Sequence, residues 1–202
     1  GVWRGKNKQT TRSRDDQKRA DDLVKRNFNA DHPDQLWVAD FTYIQTHSGW
    51  VYTAFIIDVF SRAIVGWKVS TRMNTDMVLD ALEQALHDRG MPKNVIHHSD
   101  RGVQYLSIRY TNRLEAANLR ASVGTTGDSY DNALAETVNG LYKTEVIEYL
   151  KADWQGLADV QLATLNWVDW FNKERVHSAL GYVSPFEFEA MYYDKINPLG
   201  QV

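Results

Sequence analysis

The segment QLWVADFTYI, residues 35 to 44, constrains the fold because it is apolar on both faces of a predicted strand. Its aromatic and β-branched residues favour a strand, in which successive side chains point to opposite faces. Leu36, Val38 and Asp40 then share one face, while Trp37 and Ala39 lie on the other. Since both rows are mostly apolar, we expect this strand in the middle of a sheet that is covered on both sides.

The remaining pattern alternates strands with helices. Two further strands, at 51–60 and 63–70, follow short turns and predict an antiparallel meander. After them the sequence predicts a helix over 74–90, a strand at KNVIHHSD, a helix over 107–119, a strand at LRASV and a helix from the loop at 127 to about 150. An amphipathic segment over about 157–172 and a last helix opened by Ser184-Pro185 complete the chain. This order predicts an α/β fold with a five-stranded mixed sheet, three antiparallel strands and then two further strands, flanked by helices and followed by extra C-terminal helices.

The charge of the chain is unevenly distributed. The first 32 residues carry nine lysines and arginines against five aspartates, a net +4, which leaves −7 for the rest of a chain whose formal charge is −3. A polar basic stretch is typical of a solvated linker, or alternatively of an arm that contacts phosphates. We therefore divide the chain into a basic N-terminal arm (1–32), a core with C-terminal helices (33–192) and a tail (193–202).

Composition limits the chemistry. The chain has no cysteine, so it has neither disulfides nor thiolate metal sites, and any metal must be held by Asp, Glu or His. No apolar run approaches the roughly 18 residues that indicate a membrane span. We expect a soluble cytoplasmic protein.

Two aspartates stand at positions suited to a site. Asp40 interrupts an apolar row, where an ionised carboxylate is costly unless it is paired or bound to a cation. Asp100 follows the strand NVIHH, at the end of a strand where ligands bind in open α/β sheets. Each also has a simpler interpretation, as an acid paired with an arginine or backbone amide, or as the cap of the next turn.

A third acid lies on the helix that begins near residue 133. At about 100° per residue, Glu136, Asn139 and Lys143 form a polar stripe opposite an apolar face. That apolar face comprises Leu134, Val138 and Leu141. Alone, the stripe is a solvated helix surface; with Asp40 and Asp100 it becomes a candidate wall of a metal site.

Four sequence motifs carry a resemblance to a known family. They are WVADFTYI, HSDRGVQY, GDSYDNALAETVNGLYKTEVI and FNKERVHSALGYVSPFEFE, and 35 residues separate Asp100 from Glu136. The chain resembles the DDE transposases with a retroviral-integrase-type core, specifically those of insertion sequences with two reading frames. The resemblance covers about residues 33 to 192 and implies an RNase H-like fold.

The resemblance also implies chemistry. It identifies Asp40, Asp100 and Glu136 as the catalytic triad, binding two Mg²⁺ or Mn²⁺ ions that promote nicking of the element's ends and joining of 3′ hydroxyls to target DNA. It implies insertion-sequence ends and target DNA as partners, a homo-oligomer on that DNA, and a bacterial, nucleoid-associated location. Three alternatives remain open at this point: a nuclease of the same fold that only hydrolyses, a catalytically inactive DNA-binding remnant of a mobile element, and a metal-independent interaction domain.

Six further residues are candidate DNA contacts. Asn139 and Lys143 fall where related integrases place residues near donor DNA, and His98 and Arg101 flank Asp100. Arg175 and His177 belong to a motif of the family whose role is unsettled. A loop before the third helix is a candidate gate over the site. It contains Gly127, Asp128, Tyr130, Asp131 and Asn132.

Overall fold

A five-stranded mixed sheet forms the centre of the molecule. The computed structural model describes residues 21–24, 28–100, 102–124, 133–150 and 153–197. The strands are β1 (Leu36–Thr46), β2 (Gly49–Asp58), β3 (Ile64–Ser70), β4 (Ile96–Ser99) and β5 (Arg120–Val123), in the order β3-β2-β1-β4-β5. β1, β2 and β3 are antiparallel, whereas β4 and β5 run parallel to β1. The predicted fold class is therefore confirmed, with β1 in the middle.

Helices cover both faces of the sheet. They are α1 (Thr75–Asp88), α2 (Ile108–Ala116), α3 (Ala133–Tyr142), a π-helical segment (Lys143–Glu148), α4 (Leu157–Lys173), a 3-10 turn (Ser178–Leu180) and α5 (Pro185–Ile196). Val38 and Phe55 pack with α3 and α4 in one apolar core, while Trp37 and Ala39 pack with α1 and α2 in the other. No described helix is long and apolar enough to cross a membrane.

Helix side chains cover the outer edge of β3. Asn172 of α4 accepts a hydrogen bond from the Ile64 N–H (2.9 Å) and donates one to the Ile64 carbonyl (2.8 Å). Gln84 of α1 accepts another from the Trp67 N–H (2.8 Å). The backbone groups of an edge strand need such partners because they otherwise pair with other chains.

Side-chain caps account for the starts of α1, α2 and α5. Asn74 accepts a hydrogen bond from the Met77 N–H at the start of α1, and Ser107 accepts one from the Tyr110 N–H at the start of α2. Ser184 opens α5 with a reciprocal capping box to Glu187 and with Pro185 in the first turn. These polar starts explain why the sequence locates helices well.

The predicted phase of α3 is wrong by about a quarter turn. The buried residues are Ala135, Val138, Asn139, Tyr142 and Val146, whereas Leu134 and Leu141 are only partly buried. Tyr142 packs edge-on against Phe55 of the sheet (5.1 Å between ring centroids), and this large contact sets the orientation of the helix. The helix also does not continue regularly to residue 150, because a π-helical segment begins at Lys143.

Packed structure extends past the expected core boundaries at both ends. Val24 is buried, and the Phe28 ring meets His98 edge-on at 5.4 Å, so this part of the predicted arm lies against the sheet. At the other end, α5 continues to Ile196, beyond the predicted boundary at 192.

Candidate active site

Asp40 is a largely buried carboxylate on the central strand. Its Oδ1 accepts a hydrogen bond from the Phe41 N–H (2.8 Å) and its Oδ2 accepts one from Asn139 Nδ2 (2.8 Å). Burial raises the pKa of Asp40 to about 6, and the nearby charges of Asp100 and Glu136 raise it further while the two hydrogen bonds oppose the shift. Among the described residues, no lysine or arginine forms an ion pair with this carboxylate.

Asp100 lies next to Asp40 because of the parallel register of β1 and β4. Ala39 pairs with Ser99, and the two aspartates each come one residue later. Adjacent strands lie about 4.8 Å apart, so the two side chains emerge at the same point of the sheet. The Gly102 N–H donates a hydrogen bond to Asp100 Oδ1 (2.8 Å), which orients the carboxylate.

Gly102 makes room for this arrangement. A Cβ at this position would lie 2.9 Å from Asp100 Oδ1 and 3.3 Å from Gln104 Oε1. A larger residue here would therefore push the Asp100 carboxylate or the Gln104 side chain aside, a constraint that the sequence motif alone does not reveal.

Glu136 approaches the two aspartates from the first turn of α3. Its side chain is exposed, and its charge acts on Asp40, as does that of Asp100. The exposed side chain can rotate, whereas the other two carboxylates are held by hydrogen bonds. The structure thus brings the three predicted acids to one end of the sheet.

These residues fit a divalent cation in their chemistry. Carboxylate oxygens are the ligands that Mg²⁺ and Mn²⁺ prefer, and such ions retain several waters. Two buried oxygens beside Asp40, Asn139 Oδ1 and the Tyr105 hydroxyl, have no hydrogen-bond partner among the described residues. Within those residues, no three acidic or histidine side chains are close enough together to form a complete metal site. A site formed by all three acids would require their side chains to come closer together.

Asn139 is mainly a partner of Asp40. It is 8% exposed, and its side-chain amide donates to the carboxylate, so it holds that group in place. Lys143 is partly exposed, and its Nζ lies 5.1 Å from the centroid of the Tyr43 ring. Of the two helix residues expected near DNA, only Lys143 carries a charge, and its side chain is the more accessible of the two.

His98 is placed differently from the expectation of a phosphate contact. It is 1% exposed, lies 2.9 Å from Ser122 Oγ through its Nδ1, and packs against Phe28. A side chain enclosed in this way packs the N-terminal segment on β4 and β5, and its contact with a phosphate stays a prediction. Arg101 and the candidate gate residues at 127–132 lie outside the described residues.

Arg175 and His177 form an interior cluster with the π-helical segment. Arg175 binds both oxygens of Glu145 (Nη2 to Oε1, 2.7 Å; Nε to Oε2, 3.2 Å), and Trp167 Nε1 donates to Oε2 of the same carboxylate (2.9 Å). Burial and the Arg175 charge lower the pKa of His177 to about 4, so its ring is neutral near pH 7. These contacts hold α4 against the helix of Glu136 and engage both side chains within the protein, while the expected contact of both residues with DNA stays a prediction. We name this set, Glu145, Trp167 and Arg175, the helix clamp.

Comparison with known proteins identifies the class. The chain matches the integrase core domain family over residues 30–129 and again over residues 117–185. Its structure is similar to the integrase catalytic core domain of HTLV-2, solved in complex with magnesium, with a TM-score of 0.63, 18% identity, and coverage of 80% of this chain and 99% of that one. The fold is thus the RNase H-like fold of an integrase-type core.

Two bacterial relatives then give the family. The chain is 57% identical over 196 residues to the transposase for insertion sequence element IS629 of Shigella sonnei, covering 97% of this chain and 65% of that protein. It is 51% identical over 198 residues to a protein of Mycobacterium tuberculosis named as a transposase for IS986/IS6110, covering 96% of this chain and 71% of that protein. The chain belongs to the DDE transposases of insertion sequences, and it spans about two thirds of the length of these relatives.

Proposed function

We propose that this chain is the catalytic core of a transposase that nicks insertion-sequence ends and joins the freed 3′ hydroxyls to target DNA. The observation that supports this most directly is the buried Asp40, whose pKa is raised to about 6 by burial and by the adjacent Asp100 and Glu136. Three acids without a cationic partner among the described residues form an arrangement that binding of a cation would stabilise.

Two Mg²⁺ or Mn²⁺ ions would be held by Asp40, Asp100 and Glu136. When bound, the ions would stabilise the attacking and leaving oxygens during phosphodiester transfer. The protein positions its ligands through Asn139, which orients Asp40, and through the Gly102 N–H, which orients Asp100. In nicking, water attacks the phosphorus and the 3′ oxygen leaves; in joining, that 3′ hydroxyl attacks a new phosphodiester and displaces another 3′ oxygen.

The position of Lys143 supports DNA as the substrate. Its ammonium group lies on the helix that carries Glu136, about two turns further along, and would contact a DNA phosphate near the reacting bond. DNA ends and target DNA are therefore the proposed partners, and a homo-oligomer would hold two ends together. Such a protein would act on the bacterial nucleoid.

The test is an assay with labelled duplexes that carry the ends of the encoding element, in Mn²⁺. We expect wild-type protein to give both nicked and joined strands, and Glu136→Gln to bind the duplex but give neither product. Glu148→Gln, at an exposed position on the same helical stretch, is the matched control and should retain both products. Nicked strands without joined ones would favour the hydrolytic nuclease, and full joining by Glu136→Gln would exclude the proposed site.

A further inference from the structure

Two large aromatic side chains are exposed on the β1–β2 hairpin beside the candidate active site. Tyr43 is 56% exposed and Trp50 is 48% exposed, and their rings meet edge-on with 5.3 Å between centroids. They lie diagonally across the antiparallel pair, since Tyr43 pairs with Tyr52 and Gln45 pairs with Trp50. We name Tyr43 and Trp50 the hairpin aromatic pair.

Tyr43, the member of the hairpin aromatic pair on β1, lies along an open edge of that strand. β4 pairs with β1 only from Leu36 to Ala39, whereas β1 continues to Thr46. From Asp40 onward, this edge of β1 has no strand partner among the described residues. Tyr43 is three residues beyond Asp40, about 10 Å along the strand. Because the two residues are three apart, the Tyr43 side chain emerges on the face of the sheet opposite that of Asp40, so a DNA strand engaged at Asp40 would reach the hairpin around this uncovered edge.

A lysine links the pair to the catalytic helix. Lys143 Nζ lies 5.1 Å from the centroid of the Tyr43 ring, and no carboxylate of the described residues forms an ion pair with it. A cross-strand aromatic contact stabilises a hairpin by itself. The contact between the two rings does not explain why the Lys143 ammonium group lies over the Tyr43 ring and remains available to an anion.

We propose that Tyr43 and Trp50 form a stacking site for unpaired bases of the DNA end, with Lys143 bound to the adjacent phosphate. Proteins that bind single strands combine aromatic faces, on which bases stack, with cations that follow the backbone. The separation of about 10 Å along β1 is within reach of the first few nucleotides from the reacting phosphate. This inference rests on the proposed function, and it assigns the substrate a frayed or single-stranded segment near the cut.

The test measures equilibrium binding by fluorescence anisotropy, in a Glu136→Gln background that prevents turnover. One probe is a duplex with a four-nucleotide thymine tail, and the other is the same duplex whose tail consists of abasic sites. We expect Trp50→Leu and Tyr43→Leu each to weaken binding of the thymine-tailed duplex about tenfold, because one stacked base is lost, and to leave the abasic probe unchanged. Tyr43→Phe keeps the aromatic face and should bind as the wild type does.

Trp170→Leu is the matched control, because Trp170 is also a partly exposed tryptophan (40%) but lies on α4. It should bind both probes as the wild type does. Equal losses on both probes, or a Trp50→Leu variant that matches Trp170→Leu, would overturn the stacking site while leaving the proposed function intact. If the protein that carries only Glu136→Gln bound neither probe, the proposed function and the stacking site would both be contradicted.

Discussion

At the scale of single residues, the site depends on groups that keep two carboxylates in place. Asp40 accepts two hydrogen bonds in a largely buried position, and Asp100 accepts one from the loop that follows it. The acids themselves were predictable because an acid in an apolar strand, or at a strand end, is conspicuous in sequence. Their supporting groups were not, because an amide on a helix and a glycine in a loop have many ordinary roles.

Asn139→Leu should weaken Mn²⁺ binding about tenfold, as is typical when a hydrogen bond that orients a metal ligand is lost. The bond from Asn139 lowers the pKa of Asp40, so its removal raises that pKa further above about 6. Half-maximal Mn²⁺ binding should therefore require a higher pH than in the wild type. Calorimetric titration at several pH values measures both effects. Asn166→Leu, at an exposed position on α4, should change neither.

Gly102→Ala should displace the Asp100 carboxylate, because the new Cβ would lie 2.9 Å from its Oδ1. We expect weaker Mn²⁺ binding with little change in the circular dichroism spectrum. Gly140→Ala is the matched control for adding a Cβ, since a Cβ at this position in α3 meets nothing within 4 Å. It should raise the free energy of unfolding by about 0.5 to 1 kcal/mol, as helical Gly→Ala substitutions do. Unchanged Mn²⁺ affinity in Gly102→Ala would show that the loop adapts.

At the scale of elements, the helix of Glu136 is positioned by contacts beyond its own sequence pattern. The helix clamp joins α4 to the π-helical segment, and Tyr142 fixes the rotation of α3 against Phe55. A helical wheel assumes about 100° per residue and treats an asparagine as polar surface. Both assumptions fail here, since Asn139 is buried against Asp40 and a π-helix follows at Lys143. Strands and helix starts were predictable because their signals are local.

Arg175→Gln should lower the free energy of unfolding by about 2 kcal/mol, because it leaves the partly buried Glu145 without its cation. The side chains of this pair are only 20% and 24% exposed. Arg113→Gln is the comparison, since Arg113 pairs with a more exposed carboxylate on Glu83 and should cost less than about 1 kcal/mol. Urea unfolding of the two variants measures the difference. Equal losses would indicate that the helix clamp adds nothing beyond a surface ion pair.

At the scale of the whole molecule, a second cluster of charges joins the first and last elements of the core. Arg89 bridges Asp34 (2.8 Å) and Glu189 of α5 (2.7 Å), and the Ser61 hydroxyl donates to Glu189 (2.6 Å). Asp58, fully buried at the end of β2, accepts hydrogen bonds from the Asp34 and Ser61 N–H groups. No sequence motif predicts this cluster, because its members come from separate parts of the chain.

Asp58 should make the protein less stable as pH rises from about 4 to about 6. Burial raises its pKa to about 6 from an unfolded value near 3.8, so the native state retains a proton that the unfolded state has already lost. The stability is complete below the unfolded pKa and declines by about 3 kcal/mol as pH passes through the folded pKa.

Asp58→Asn should remove this decline. The difference in free energy of unfolding between the variant and the wild type should therefore change with pH between about 4 and 6. His97, whose pKa burial lowers to about 4, has the opposite dependence in both proteins and cancels in the difference. Urea unfolding at pH 4, 5, 6 and 7 provides the measurement, and Asp194→Asn, exposed on α5, should keep the wild-type profile. A constant difference between Asp58→Asn and wild type across these pH values would contradict the assignment.

The amide side chains on β3 have a consequence for assembly. Asn172 and Gln84 already bond to the backbone of Ile64 and Trp67 on the outer side of this strand, so at these positions a neighbouring subunit finds those backbone groups already paired. To join two sheets across these positions, the two amide side chains would first have to give up their hydrogen bonds. A contact between two copies at Ile64 and Trp67 would therefore be made through side chains, and such a contact can separate without breaking a sheet.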